Sequence, residues 1–287
     1  MMNIVLKESE LKRLKEYPLA NCIANTESII YYYKKDFQNN ETLLLKKLYD
    51  TRDNKVERKI KTIETLQRSQ LMDYKELVIP EDVISIQGVK SGFTIKEITN
   101  NTNLQLILSN NRISTSKKIE LLKKIGDLLN RVSSSNQEFY FGDLQPSNIL
   151  IDEESNIYIV DLDSSAVNRK KPIESKYIVL DHKTHDVRKY KVNKAKRAYP
   201  SKDIDIYCFN TMVLNTIAGE SLHRTDIPEF YDYLNYLDDK GISRDILDIL
   251  SNHYSNKPNE SVYPYLDELP KEIGKESYKV YKMIKNK

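Results

Sequence analysis

The 287 residues contain no tryptophan, only 7 glycines and only 2 cysteines. Average chains carry about 7% glycine, so this shortage speaks against glycine-rich phosphate-cradling loops. Cys22 and Cys208 lie far apart and are too few for a disulfide framework. Without an export signal they read as reduced thiols. No run approaches the roughly 18 consecutive apolar residues of a membrane span. The opening "MMNIVLKESELKRLKEY" has charges every few residues and no apolar signal core. A cytoplasmic location without membrane contact is therefore expected. A net charge of +3 does not mark a polyanion binder, so no nucleic-acid partner is expected.

What is present describes a globular chain, 39% hydrophobic and 30% charged. "SIIYYYKK" (28–35) and "TLLLKKLY" (42–49) are apolar and β-rich, and the polar "DFQNNE" between them predicts a hairpin. Val56, Ile60, Ile63 and Leu71 recur at helical spacing, which predicts an amphipathic helix. Residues 77–98 return to strands, broken by Pro80, Gly88 and Gly92. Beyond about residue 100 helices dominate. One is capped by the Ser/Thr cluster before residue 119, and a mostly apolar one over 205–219 ends at Gly219. The expected fold class is α+β. A small β-rich lobe with one helix (1–98) precedes a larger, mainly α-helical lobe (99–287).

The densest chemistry lies in "FGDLQPSNILID" (141–152) and "YIVDLDS" (158–164). Asn148 follows Asp143 by five residues, and Asp161 follows Asp143 by 18. If the strands "NILID" and "IYIVDLD" pair as a hairpin, the three side chains converge. Two carboxylates and an amide oxygen are hard donors suited to Mg²⁺.

"GDLQPSNIL" resembles the protein-kinase catalytic loop, and "VDLD" resembles the D-F-G element. The resemblance spans roughly residues 20–220 and implies a bilobal kinase-like fold. It also implies transfer of the γ-phosphate of Mg·ATP to a protein hydroxyl, of the serine/threonine type. It gives Asp143 the role of catalytic base and makes Asn148 and Asp161 Mg²⁺ ligands. "LLLKKLY" resembles the strand that carries the phosphate-binding lysine, which assigns that role to Lys46. Lys47 then faces the other side of the strand. Glu57 and Glu64 share a helix face. Spacing usual in the family selects Glu64, 18 residues past Lys46, as the acid that holds the lysine. "GFTIKEI" would lead into the hinge, with Ile95 at the gatekeeper position and backbone groups of Lys96 and Ile98 on the adenine. Asp205, opening "DIYCFNTMVLNTIAG", resembles the acid that holds the catalytic-loop backbone.

The sequence departs from the family pattern in four places. Ala24, Asn25 and Thr26 stand where phosphate-loop glycines are expected. Phe141 and Gly142 replace the His-Arg pair. Gln145 replaces a lysine, and Asp163 replaces the D-F-G glycine, where it could supply a further metal ligand. Gly142, Gln145 and Asp163 also fit small-molecule phosphotransferases of the aminoglycoside or choline type. The missing glycines fit a pseudokinase scaffold. Residues 169–202 hold twelve Lys/Arg against three Asp/Glu, which suits docking of an acidic protein substrate.

Overall fold

The computed structural model describes residues 3–18, 28–36, 41–49, 55–135, 137–168, 175–176, 197–198, 202–219, 227–254, 260–270, 273 and 278–285. The architecture is mixed α+β, with a β-rich N-terminal region and a mostly helical C-terminal region.

A five-stranded sheet dominates the first hundred residues. Its strands are β1 (Asn3–Leu6), β2 (Ser28–Asp36), β3 (Glu41–Leu48), β4 (Val83–Ile86) and β5 (Val89–Lys96), in the order β1-β4-β5-β3-β2. The expected β2–β3 hairpin is present and antiparallel. β1 runs parallel to β4, and the single turn α1 (Glu8–Leu11) follows it. Neither was anticipated from the sequence. Gln87 and Gly88 form the two-residue turn between β4 and β5, both with positive φ (52° and 82°). That geometry matches the right-handed twist of the flanking strands.

Gly92 does not break β5, contrary to expectation. It lies within the strand, opposite Lys47. A Cβ there would sit 2.1 Å from the Lys46 carbonyl oxygen, so the sheet itself requires the missing side chain.

Side-chain alternation divides the sheet between two environments. Leu45 and Ile84 face away from the main core and pack with Leu11 of α1. Leu48 and Phe93 face the main core and the helix α2 (Lys55–Leu66). Lys46 shares the Leu48 side of β3 and is only 7% exposed. Its neighbour Lys47 is half-buried.

The β-rich and helical regions share one continuous apolar core running from Leu48 and Ile63 through Leu122 to Leu250. They also share backbone hydrogen bonds. Val78 N donates to Ile159 O at 3.0 Å, and Ile159 N donates to Glu76 O at 2.7 Å. Residues 97–101, where the expected lobe boundary falls, form no strand or helix.

The second region opens with β6 (Thr102–Asn103) and α3 (Leu104–Ser109), and β7 (Phe139–Tyr140) follows α4 (Thr115–Ser133). α4 begins at Ser114, whose side chain accepts from Lys117 N at 3.3 Å. This is the expected N-cap. The helix Lys202–Ala218 is buried on most of its surface and ends at Gly219, whose φ is 67°. Most of the basic 169–202 segment lies outside the described residues.

Candidate active site

Two short strands, β8 and β9 in the sheet of the helical region (Ile149–Ile151 and Ile157–Ile159), pair antiparallel. The turn between them is closed by Asp152. Its carboxylate accepts from Asn156 N at 2.8 Å and from Tyr158 Oη at 3.1 Å. Val160 N then donates to Asn148 O at 2.9 Å, which sets Asn148 beside the residue preceding Asp161. The expected hairpin is therefore real, and it brings the two ends of the motif together.

Asn148 Nδ2 donates to Asp143 O at 3.0 Å and to Asp143 Oδ2 at 3.1 Å. Asp143 Oδ1 accepts from Gln145 Nε2. Burial raises the Asp143 pKa, the Gln145 amide opposes this, and the nearby Asp161 charge adds to the rise. The net result is a half-buried carboxyl with raised proton affinity, held by two amides of its own loop.

The loop is fixed from below. Asp205 Oδ2 accepts from Phe141 N at 2.9 Å, and Asp205 Oδ1 accepts from Gly142 N at 3.3 Å. Gly142 has φ 76°, a conformation suited to glycine. Ser165 Oγ donates to Phe141 O at 3.1 Å. Burial pushes the Asp205 carboxyl up to about 7, against the pull of those two amides.

Lys46 reaches from β3 to the residues after β9. Its ammonium donates to Asp161 Oδ1, and to Asp163 Oδ2 at 3.2 Å. Burial lowers the Lys46 pKa, and the two carboxylates more than reverse this. Burial likewise raises Asp161, but Lys46 and Lys59 outweigh it and hold its carboxyl below the usual range. Asp161 has φ 64° and ψ 41°, a left-handed backbone state more open to Asp and Asn than to most residues.

Glu64 is not in this cluster. It accepts from Lys90 Nζ at 2.6 Å and borders a cavity of about 410 Å³ lined also by Lys61, Thr65, Arg68 and Asn168. The reason is helical phase. The core face of α2 carries Val56, Lys59, Ile60, Ile63 and Leu66, and Glu64 lies about 140° round the helix from Lys59.

Lys59 occupies the core-facing position instead. Its Nζ is 3.2 Å from Asp163 Oδ1. Asp163, fully buried, thus binds a lysine through each oxygen and is turned inward rather than towards a metal position. Sequence reasoning missed Lys59. The available signal was a lysine inside the apolar stripe, three residues after Val56 and four before Ile63.

Ile95 packs partly buried against the core. Lys96 ends β5 with its ammonium on Glu41. The Ile98 carbonyl accepts from Asn101 Nδ2. Ala24, Asn25 and Thr26 lie outside the described residues.

Among the described residues, no three His, Cys, Asp or Glu side chains form a metal cluster by themselves. A cation here would need the Asn148 amide. Its nitrogen is turned to Asp143, which turns its carbonyl oxygen away from that residue. That oxygen and the Asp161 carboxylate are both hard donors, the kind that Mg²⁺ takes. Among the described residues no helix is long and apolar enough to cross a membrane. No protein-family model matches the chain, and a search of curated proteins finds no match.

Proposed function

We propose that this chain is an ATP- and Mg²⁺-dependent phosphotransferase of the protein-kinase type, acting on a serine or threonine hydroxyl of a protein. The reading is carried by one observation. Lys46, on the interior strand β3, is ion-paired with Asp161, 115 residues later in the chain. Asp143 and Asn148 are hydrogen-bonded to each other on the neighbouring loop.

Each residue has a role that follows from its chemistry. Asp143 accepts the proton of the attacking hydroxyl, and its raised proton affinity suits that task. Asn148 orients Asp143 through its amide nitrogen and offers an oxygen to the metal. Asp161 offers a carboxylate to the same metal, and Lys46 offers its ammonium to phosphate oxygens. Bound Mg²⁺ would supply charge neutralisation at the phosphates. Asp205 holds the loop so that Asp143 keeps its aim. The basic 169–202 segment supplies positive charge for an acidic protein substrate.

The test is incubation of the purified protein with γ-labelled ATP and Mg²⁺, with an acidic and a basic protein as acceptors. The Asp143→Asn variant runs alongside. Label on protein that disappears in the variant supports the reading. ATP consumed only with cell extract, and no label on protein, would move the activity to a small-molecule acceptor. ATP binding without turnover would make the chain a binding scaffold.

A further inference from the structure

Four charged side chains form a line through the interior. Lys59 Nζ lies 3.2 Å from Asp163 Oδ1, Asp163 Oδ2 lies 3.2 Å from Lys46 Nζ, and Lys46 Nζ contacts Asp161 Oδ1. The side chain of Asp163 is 0% exposed and those of Lys46 and Lys59 are 9%, whereas Asp161 is 35% exposed. Only the Asp161 end reaches solvent appreciably. Two cations and two anions cancel, which is how so many charges are tolerated away from water.

The geometry of Asp163 is specific. Each oxygen serves one lysine, so the carboxylate is held between α2 and β3. Lys46 is bonded by Asp161 and, from its buried side, by Asp163. The acid expected on α2 for this purpose, Glu64, is bound to Lys90 instead. The polarity is reversed: the helix contributes a cation, and the turn after β9 contributes the anion.

We propose that Asp163 and Lys59 are positioning residues for Lys46. Asp163 aims the Lys46 ammonium at the nucleotide phosphates, and Lys59 holds the Asp163 carboxyl in place from the helix side. The inference rests on the phosphotransferase reading above and adds two residues to it. A merely structural pin between α2 and the 162–164 turn would change stability alone.

The experiment measures Mg·ATP affinity by direct titration, and KM for ATP and kcat separately. It uses wild type, Lys59→Met, Lys59→Arg, Asp163→Asn and the double variant Lys59→Glu/Asp163→Asn. Lys59→Met and Asp163→Asn are expected to weaken ATP binding roughly ten-fold or more, read as KM against kcat. Lys59→Arg retains the charge and should stay within about three-fold of wild type. The double variant returns a carboxylate from the helix side and should recover much of the lost affinity. Folded Lys59→Met and Asp163→Asn proteins with wild-type ATP affinity would overturn the proposal. If the single variants do not fold, the double variant decides. Recovered ATP affinity supports the positioning role, and a folded double variant that binds ATP no better than about ten-fold below wild type overturns it. Wild-type protein that binds no Mg·ATP would overturn the phosphotransferase reading as well, which separates the two failures.

Discussion

Glu64 Oε1 and Lys90 Nζ lie 2.6 Å apart, joining α2 to the start of β5 on a side of the helix that does not face Lys46. Half of the Lys90 side chain is exposed, so this pair is worth at most about 1 kcal/mol. Glu64→Gln is therefore expected to lower stability by less than about 1 kcal/mol. Phosphotransfer by this variant should stay within about three-fold of wild type. A loss of two orders of magnitude in kcat/KM would mean that Glu64 swings to Lys46 during turnover.

Gly92→Ala should act on the site from within the sheet. The added methyl would lie 2.1 Å from the Lys46 carbonyl oxygen, which is backbone and cannot swing aside. The β3–β5 pairing must part locally, at an expected cost of about 1–3 kcal/mol. Lys46 moves with its strand, so ATP affinity should fall together with stability. Denaturant titration alongside nucleotide titration checks both, and stability lost with affinity intact would separate Gly92 from the site.

Asn148→Ala removes the amide that bonds both the carbonyl and the carboxylate of Asp143. Two hydrogen bonds at a part-buried loop are worth about 1–3 kcal/mol of stability. Loss of the oriented base and of a metal oxygen should lower kcat by roughly 100-fold or more. Single-turnover kinetics is the appropriate measurement, because it isolates the chemical step from product release.

Asp205 makes the fold pH-sensitive in a defined direction. Its carboxyl sits near 7 in the folded chain against an ordinary 3.8, so between these values the folded state holds a proton that the unfolded state has released. Stability from this group is thus full below about pH 4 and is lost as pH rises to about 7. At about 1.4 kcal/mol per unit the window is worth roughly 4 kcal/mol. Burial holds the neighbouring Cys208 thiol well above its usual value, so it does not titrate in this window. Unfolding free energies of wild type and Asp205→Asn, measured from pH 4 to 8, should converge or cross as pH rises and run parallel above about pH 8. Parallel curves throughout would mean that Asp205 is ionised at every pH tested.

Much of this arrangement was legible in the residue pattern, and the misses have physical causes. The β2–β3 hairpin, α2 as far as Leu66, α4 and the buried helix ending at Gly219 all announced themselves through period and punctuation, whereas Leu71, counted with α2, lies in a separate 3-10 turn (Gln70–Asp73). The Asp143–Asn148–Asp161 convergence followed once β8 and β9 were read as a pair. β1 escaped because four residues with alternately exposed and half-buried side chains carry little signal, and their partner β4 lies about 80 residues away. Lys59 escaped because a lysine in a charged helix is ordinarily a surface group. Asp163, buried across the site, is a partner that makes its inward position tolerable. Local pattern reports what a segment buries on average and is blind to the single distant charge that reverses the preference of one residue.

The backbone ladder at Ile159 has a bearing on how the molecule comes apart. Val78 and Glu76 belong to the connection between α2 and β4, yet they hydrogen-bond to the strand that leads directly into Asp161. Melting the N-terminal region, this connection included, would strip those bonds and bare the apolar residues shared with the helices. Heat or denaturant should therefore meet one cooperative unit rather than two domains in series. Local opening of the sheet would disarm the site at the same moment, so a partly unfolded chain with a competent Asp161 has no place on the unfolding path.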